Sequence, residues 1–216
     1  GADLKAIVND VYLRCKDKVT TDDIEKSYER VARNDYRSDD CDSLATEYQI
    51  AVHEAGHALM CLKYKDDYSF YRACLTKDGG YVEKYDVDDS IQNYRKRIED
   101  IAICVGGYIA EKIVFKQVDV GSYTDLEKAF ESCERLVIHS SITNPLMFLP
   151  HYTDNKNYLA SEERRTTNEK SIRSFFNKFY KDTYKYLKKN KKQLIKFADS
   201  LFDKKKISYK ELSTIF

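Results

Sequence analysis

The sequence predicts a mainly α-helical protein that contains one small β-hairpin. Only 7 Gly and 2 Pro occur in 216 residues, too few for a sandwich or barrel with many tight turns. Apolar residues recur at helical spacing along most of the chain. Hydrophobic residues make up 42%, and the 18 Tyr and 10 Phe argue against a disordered chain. We therefore expect long amphipathic helices around an apolar core.

The first 33 residues are expected to form two helices. The first has apolar side chains at helical spacing and is followed by a break at Asp17–Lys18. Residues 20–23 then supply a hydroxyl cap and an acidic first turn for the second helix. Residues 34–43 are polar and rich in turn formers. We predict that they link a short helical segment at 1–33 to a principal domain at 44–216.

The principal domain is expected to begin with a long helix from Ser43 to about Tyr64. Two β-rich runs around Gly79-Gly80 then predict a hairpin over residues 67–86. Apolar spacing from Ile98 to Val114 predicts one buried helix, and a further helix follows Gly121-Ser122.

The C-terminal third is predicted to be irregular at first and then helical. Residues 140–160 hold both prolines and are expected to form an irregular connection. Two helices are predicted from about Thr167 onward. Ser208 and Glu211 have the spacing of a capping box, which predicts a short final helix.

Charge and cysteine content narrow the functional classes. The 37 basic and 36 acidic residues give a formal charge of +1, so nothing calls for nucleic acid or an anionic membrane as partner. The longest uncharged apolar run, 101–110, is half of the ~20 residues that cross a bilayer. Six cysteines without a C-x-x-C pair indicate reduced thiols in an intracellular, soluble chain. Because the sequence begins at Gly1, we expect a piece of a longer protein.

Residues 51–59 carry the densest chemistry, the pattern H-E-x-x-H on a predicted helix. His53 and His57 are four residues apart, so their imidazoles rise from one helix face and can share one metal. Glu54 lies about 100° around the helix, where it can act on water without being a ligand. Two imidazoles suit zinc, which takes three protein ligands in catalytic sites. The alternative is two core histidines and a surface glutamate.

The third ligand must come from elsewhere in the chain. Cys61 lies one turn further along the helix, too far to complete a tetrahedron, and is expected in the core. His139 and His151 are candidates without a recognisable context. Asp125 is the better candidate because it lies near a predicted helix start, where the dipole favours an ionised carboxylate. An aspartate there is more often a helix cap, and spacing alone does not choose.

The order of four passages resembles the FtsH family of ATP-dependent zinc metalloproteases. Residues 1–9 resemble the last helices of the AAA ATPase lid, and 51–59 resemble the zinc helix. Residues 106–111, Gly-Gly-Tyr-Ile-Ala-Glu, resemble the G-G-x-x-A-E helix of that family. Residues 121–126 resemble its G-A-x-N-D-L segment. The likeness spans nearly the whole chain.

The resemblance implies a site and a reaction. It implies zinc held by His53, His57 and Asp125, with Glu111 orienting a ligating imidazole. Glu54 would then be the general base in peptide-bond hydrolysis. Two departures, Thr124 for the usual Asn and the bulky Tyr123, imply a different pocket rim.

The resemblance also implies partners and context. It implies unfolded or damaged polypeptides as substrates, a homo-hexameric parent protein, and a membrane anchor in segments outside this chain. No G-x-x-x-x-G-K-[ST] loop occurs, so we expect ATP to act only through an ATPase module absent from this chain. Two alternatives stay open: a non-catalytic oligomerisation scaffold of the same fold, and a stand-alone soluble metallopeptidase.

Overall fold

A computed structural model describes residues 2–14, 18–33, 44–76, 79–87, 94–139 and 162–215. The helices are α1 (Ala2–Arg14), α2 (Thr21–Arg33), α3 (Leu44–Lys63), α4 (Tyr94–Cys104), α5 (Gly106–Val114), α6 (Tyr123–Glu134), α7 (Glu162–Lys189), α8 (Lys191–Lys204) and α9 (Leu212–Ile215). The strands are β1 (Tyr68–Thr76), β2 (Gly79–Asp86) and β3 (Lys206–Ser208). The predicted mainly α-helical class with one small sheet is confirmed.

Helix α3 is the centre of the fold. It packs against α5 on one side and against α8 and β1 on others. Its buried side chains are small or apolar, and several are fully excluded from solvent: Ala51, Val52, Ala55, Ala58, Met60 and Cys61. A helix surrounded on most sides must be apolar around most of its circumference. Among the polar residues of α3, Gln49, His53, Glu54 and His57 border a cleft.

The sheet has the strand order β2-β1-β3 and is antiparallel throughout. The predicted hairpin is present as β1 and β2. Strand β3 was not predicted, because three residues that pair with a strand far away in the chain carry no local signal. Its addition makes β1 the central strand and leaves β2 at an edge. A bulge between Phe70 and Arg72 shifts the register of the hairpin.

The single helix predicted from Ile98 to Val114 is wrong, since the structure has two helices. Helix α4 ends at Cys104, and α5 begins at Gly106. The interruption coincides with Gly106 and Gly107, which have low helix propensity and let the backbone approach α3 closely.

The other helix predictions lie close to the observed bounds. The two N-terminal helices and the long α3 occur where the apolar spacing indicates. Helix α7 starts at Glu162, earlier than expected. Ser208 and Glu211 form the predicted capping box, with the carboxylate accepting from the Ser208 amide and hydroxyl at 2.9 Å each. The irregular segment predicted at 140–160 lies outside the described residues.

Two further findings concern the state of the cysteines and the apolarity of the helices. Cys61, Cys74, Cys104 and Cys133 are free thiols, while Cys15 and Cys41 lie outside the described residues. Within the described ranges, no helix combines the length and apolarity needed to cross a bilayer.

Candidate metal centre

Two imidazoles converge on the cleft-facing side of α3. His53 and His57 are one helical turn apart, and their Nε2 atoms lie 2.9 Å from each other. Both side chains are largely buried, with 15% and 12% of their surfaces exposed. The four-residue spacing thus produces the shared face that the sequence predicts.

A carboxylate from a distant part of the chain meets both rings. Asp125 lies in the first turn of α6, and its Oδ2 is 3.0 Å from His53 Nε2 and 3.1 Å from His57 Nε2. Among the described residues, these three side chains form a group that is able to hold one metal ion. Residues 72 positions apart are therefore brought together as the resemblance implies.

The donor set fits zinc. Two imidazole nitrogens and one carboxylate oxygen are ordinary zinc ligands, with bonds of about 2.0–2.1 Å. A tetrahedron with such bonds has edges of about 3.3 Å. The three donor atoms are separated by 2.9–3.1 Å, close to that edge. Cobalt or nickel also accept such ligands, so the geometry favours a divalent cation of this class.

The second nitrogen of each imidazole has its own acceptor. His57 Nδ1 donates to the carbonyl oxygen of Ile103 at 2.7 Å. His53 Nδ1 donates to Glu111 Oε1 at 2.5 Å. These bonds place a proton on each Nδ1 and direct each Nε2 lone pair toward the shared point.

Glu111 is a buried carboxylate whose two oxygens are well supplied with donors. It is 1% exposed, and besides His53 it accepts from Ser122 Oγ at 2.5 Å and from the Asp119 amide at 2.8 Å. Gln49 Nε2 donates to it at 2.9 Å. Burial acts to raise the pKa of Glu111, but these hydrogen bonds outweigh it and lower the pKa. Glu111 is therefore held as an anion behind His53.

The same contacts change the proton affinity of the ligand groups. Burial acts to lower the pKa of His53, but the bonds to Asp125 and Glu111 raise it to about 10. Burial acts to raise the pKa of Asp125, and the bonds to both histidines lower it well below its usual value. A proton and a cation thus compete for the same Nε2, and cation binding releases protons.

Glu54 lies beside the imidazoles at the bottom of a cleft of about 690 Å³. It is 5% exposed, and burial raises the pKa of its carboxyl although the neighbouring imidazoles act to lower it. A carboxylate with a raised pKa is a stronger proton acceptor near neutral pH. The opposite side of the cleft is formed by β2, including Gly80, Val82 and Lys84.

Three glycines permit close packing around His53 and Glu54. A Cβ on Gly107 would lie 2.4 Å from His53 Nε2, and one on Gly56 would lie 2.3 Å from the Gly106 carbonyl oxygen. A Cβ on Gly80 would lie 2.6 Å from Glu54 Cγ. The three positions bring α3 against α5 and β2 against Glu54 at distances that no side chain allows.

Comparison with known protein families identifies the family of this chain. The profile described as Peptidase family M41 matches residues 43–215. The chain belongs to peptidase family M41. Its matched region contains every residue of the candidate centre, and membership supports a proteolytic, metal-dependent function.

Similar proteins align with all or nearly all of the chain. The ATP-dependent zinc metalloprotease FtsH of Thermotoga maritima is 27% identical over 236 positions, covering 100% of this chain and 38% of that protein. The ATP-dependent zinc metalloprotease FtsH 2 of Petrotoga mobilis is 28% identical over 234 positions, covering 98% and 36%. The chain therefore spans little more than a third of these relatives.

The structure places the predicted site residues of this M41 domain as follows. His53, His57 and Asp125 meet, Glu54 borders them, and Glu111 contacts His53. Their roles stay predictions. Cys61 is fully buried in the core, as expected. The His139 side chain and His151 lie outside what the structure describes.

Sequence reasoning missed the partners that surround these groups. Gln49 and Ser122 bind Glu111, and the Ile103 carbonyl binds His57. Gln49 lies four residues before His53 on α3, a spacing that places both on one helix face and was an available signal. A backbone carbonyl carries no such signal, since every residue has one.

Proposed function

We propose that this chain is a zinc-dependent endopeptidase domain that hydrolyses peptide bonds in unfolded or damaged proteins. One observation carries the proposal: two Nε2 atoms and a carboxylate oxygen lie within 3.1 Å of one another, with Glu54 beside them in an open cleft. Membership in a peptidase family supports it.

The residues of this chain have separable tasks in that reaction. His53, His57 and Asp125 would hold the zinc, which when bound supplies the Lewis acidity that polarises a carbonyl and acidifies water. Glu54 accepts a proton from the attacking water and returns it to the leaving amine. Its burial and raised pKa suit both transfers. Glu111 fixes the ring plane of His53 through its Nδ1.

Strand β2 is the proposed substrate-binding element. Among the described strands it lies at one edge of the sheet, and its residues line the cleft that contains Glu54. An extended polypeptide that pairs with a free strand edge is bound through its main chain, largely independent of sequence. Folded proteins do not offer such a strand, so the cleft favours unfolded substrates. Pairing through β1 is ruled out because β1 is bonded on both sides.

The proposed parent protein is larger than this chain. In this proposal residues 1–33 are the C-terminal part of an AAA ATPase lid, 34–43 are a linker, and 44–216 are the peptidase domain. An ATPase module outside this chain would feed substrates, and a homo-hexamer and a membrane anchor would belong to the parent protein. The relatives are named ATP-dependent zinc metalloproteases, which supports this arrangement.

Substitution of Glu54 tests the catalytic part of the proposal. With casein as an unfolded substrate, Glu54→Gln is expected to lower cleavage about 100-fold to 10,000-fold, because the general base is lost. Zinc content by metal analysis is expected to match the parent chain, since Glu54 is not a ligand. Glu169→Gln, an exposed change on α7, is the matched control and is expected to cleave normally. Undiminished cleavage by Glu54→Gln would favour a scaffold role.

A second substrate separates a partner-fed protease from a stand-alone one. The chain alone is expected to cleave casein and to leave a stably folded protein intact, because only an unfolded segment can pair with β2. Efficient cleavage of the folded protein without added ATPase would support the stand-alone alternative.

A further inference from the structure

The face of the sheet opposite the cleft contains a buried guanidinium. Arg72 is 3% exposed, although it lies on a small sheet with a polar outer side. Its Nε donates to Glu83 Oε2 at 2.7 Å, which joins the central strand β1 to the edge strand β2. A buried charge is tolerated only with such a partner. The bulge beside Phe70 places both Tyr71 and Arg72 toward this outer face.

Aromatic rings from three elements surround the same guanidinium. Its Cζ lies 5.5 Å from the ring centroid of Tyr71, 5.8 Å from that of Tyr28 and 5.9 Å from that of Tyr81. These distances are typical of cation–π contacts. Tyr28 belongs to α2, whereas Tyr71 and Tyr81 belong to β1 and β2. We call Arg72, Glu83, Tyr28, Tyr71 and Tyr81 the Arg72 cluster.

Helix α2 contacts the sheet a second time near its other edge. Lys206 on β3 approaches Glu25 on α2 at 3.4 Å. Helix α2 therefore contacts the outer side of the sheet at two points, and Tyr28 is its contact with the guanidinium.

The other face of β2 borders the proposed reaction centre. Side chains alternate along a strand, so Glu83 points outward while Val82 and Lys84 point to the cleft side. Gly80 on that strand already lies so close that a Cβ would be 2.6 Å from Glu54 Cγ. A displacement of β2 at Glu83 must therefore change the distance between the strand and the base.

We propose that Arg72 is a positioning residue that makes the placement of the cleft strand β2 depend on helix α2. It acts through Glu83 and Tyr81 on the strand and through Tyr28 on the helix. If α2 moved away from the sheet, β2 would be free to shift. When α2 stays packed against the sheet, β2 stays at the distance from Glu54 that substrate pairing requires. The kinetic consequence rests on the proposed function; the physical linkage does not.

Substitutions at Tyr28 test the linkage without touching the cleft. Tyr28→Leu removes the ring face but keeps an apolar helix former, and Tyr28→Phe keeps the ring. Tyr12→Leu, at a position 82% exposed on α1, is the matched control. Amide hydrogen exchange of residues 79–87 is measured on the intact chain, together with KM and kcat for casein cleavage.

The linkage predicts exchange in β2 about threefold to tenfold faster in Tyr28→Leu, the change expected for loss of one partly buried cation–π contact. KM is expected to rise by a similar factor while kcat and zinc content stay near those of the parent chain. Tyr28→Phe and Tyr12→Leu are expected to behave as the parent. A structural role limited to stability would lower the active fraction and leave KM unchanged.

Arg72→Met and its combination with Tyr28→Leu complete a double-mutant cycle. Because both changes break one contact, the effect of the pair on β2 exchange is expected to be smaller than the sum of the single effects. Additive effects, or a Tyr28→Leu chain with β2 exchange equal to that of Tyr12→Leu, would overturn the linkage. A parent chain that cleaves nothing would refute the proposed function, while the exchange measurements would still decide the linkage.

Discussion

The two walls of the cleft are built by different kinds of contact. The helical wall, formed by α3 and α5 around His53 and Gly107, is packed so tightly that glycine is required at its contacts. The strand wall, formed by β2, is half-buried and held by ion pairs: Lys84 with Asp100, Lys96 with Asp86, and Arg72 with Glu83. Close packing resists displacement strongly. An edge strand that has a strand neighbour on one side only is less constrained.

We infer from this difference that the two walls have different functions. The helical wall holds both imidazole donors, His53 and His57, in fixed orientations, which a metal centre needs. The strand wall has to bind an incoming polypeptide, which requires that β2 can be displaced slightly. Changes in the helical wall should therefore affect metal retention, and changes in the strand wall should affect substrate handling.

Gly107→Ala is expected to have the largest effect. The added Cβ would lie 2.4 Å from His53 Nε2 and 2.6 Å from two ring carbons, so the imidazole must leave its position. We expect zinc affinity to fall about 100-fold, which corresponds to ordinary overpacking costs in a dense interior. Chelator competition measures this. Gly121→Ala, where the nearest atom is Asp119 Oδ1 at 3.1 Å, is the control and should retain zinc.

Glu111→Gln is expected to have the next largest effect. The amide keeps the size of the side chain but replaces one acceptor oxygen with a donor, which opposes two of the four groups that now donate to Glu111. Zinc affinity is expected to fall about 10-fold to 100-fold, the usual cost of losing such a partner. Glu127→Gln, on the exposed side of α6, is the control. Unchanged affinity would mean that the His53 ring is held by packing alone.

The contrast also explains which parts of the molecule could be predicted from sequence. Helix α3 and its imidazole face could be predicted because the H-E-x-x-H spacing is local information, whereas the separate start of α5 at Gly106 was missed. Strand β3 and the edge position of β2 could not, since both depend on pairing between residues more than a hundred positions apart. Features that depend on local sequence patterns could therefore be predicted, and features that depend on long-range strand pairing could not.

The candidate metal centre could also be predicted only in part from the sequence. Asp125 was one candidate among several by residue type, and the resemblance to a known family selected it. The Ile103 carbonyl at His57 could not be found, because its position depends on how α4 packs beside α3. The Arg72 cluster was missed for a related reason, since a buried arginine on a strand looks like a solvent-facing one until α2 covers it.

Gly80→Ala tests the strand wall with the same chemical change that Gly107→Ala makes in the helical wall. The added Cβ would meet Glu54 Cγ at 2.6 Å and Ile50 Cγ2 at 2.9 Å, both side-chain atoms opposite an edge strand. We expect zinc content to be retained and kcat for casein to fall about tenfold, because the base is displaced slightly. Loss of zinc comparable to that in Gly107→Ala would show that the two walls are equally rigid.

Lys84→Met is expected to have the smallest effect. Lys84 Nζ lies 2.9 Å from Asp100 Oδ1 and 3.8 Å from the centroid of the Tyr68 ring. Methionine keeps most of the apolar stem and removes the charge. Since the pair is partly exposed, we expect a loss of about 1 kcal/mol in the free energy of unfolding at low salt. Urea denaturation measures it, and Arg173→Met, in an exposed pair on α7, should cost less.

Salt dependence decides whether this loss reflects the ion pair. Screening weakens exposed ion pairs far more than buried packing, so the difference between Lys84→Met and the parent chain should shrink at about 1 M salt. The Gly107→Ala defect arises from steric overlap and should not change with salt. A Lys84→Met loss that is independent of salt and exceeds about 3 kcal/mol would place β2 among the tightly packed elements, where the charge contributes little and the stem contributes most.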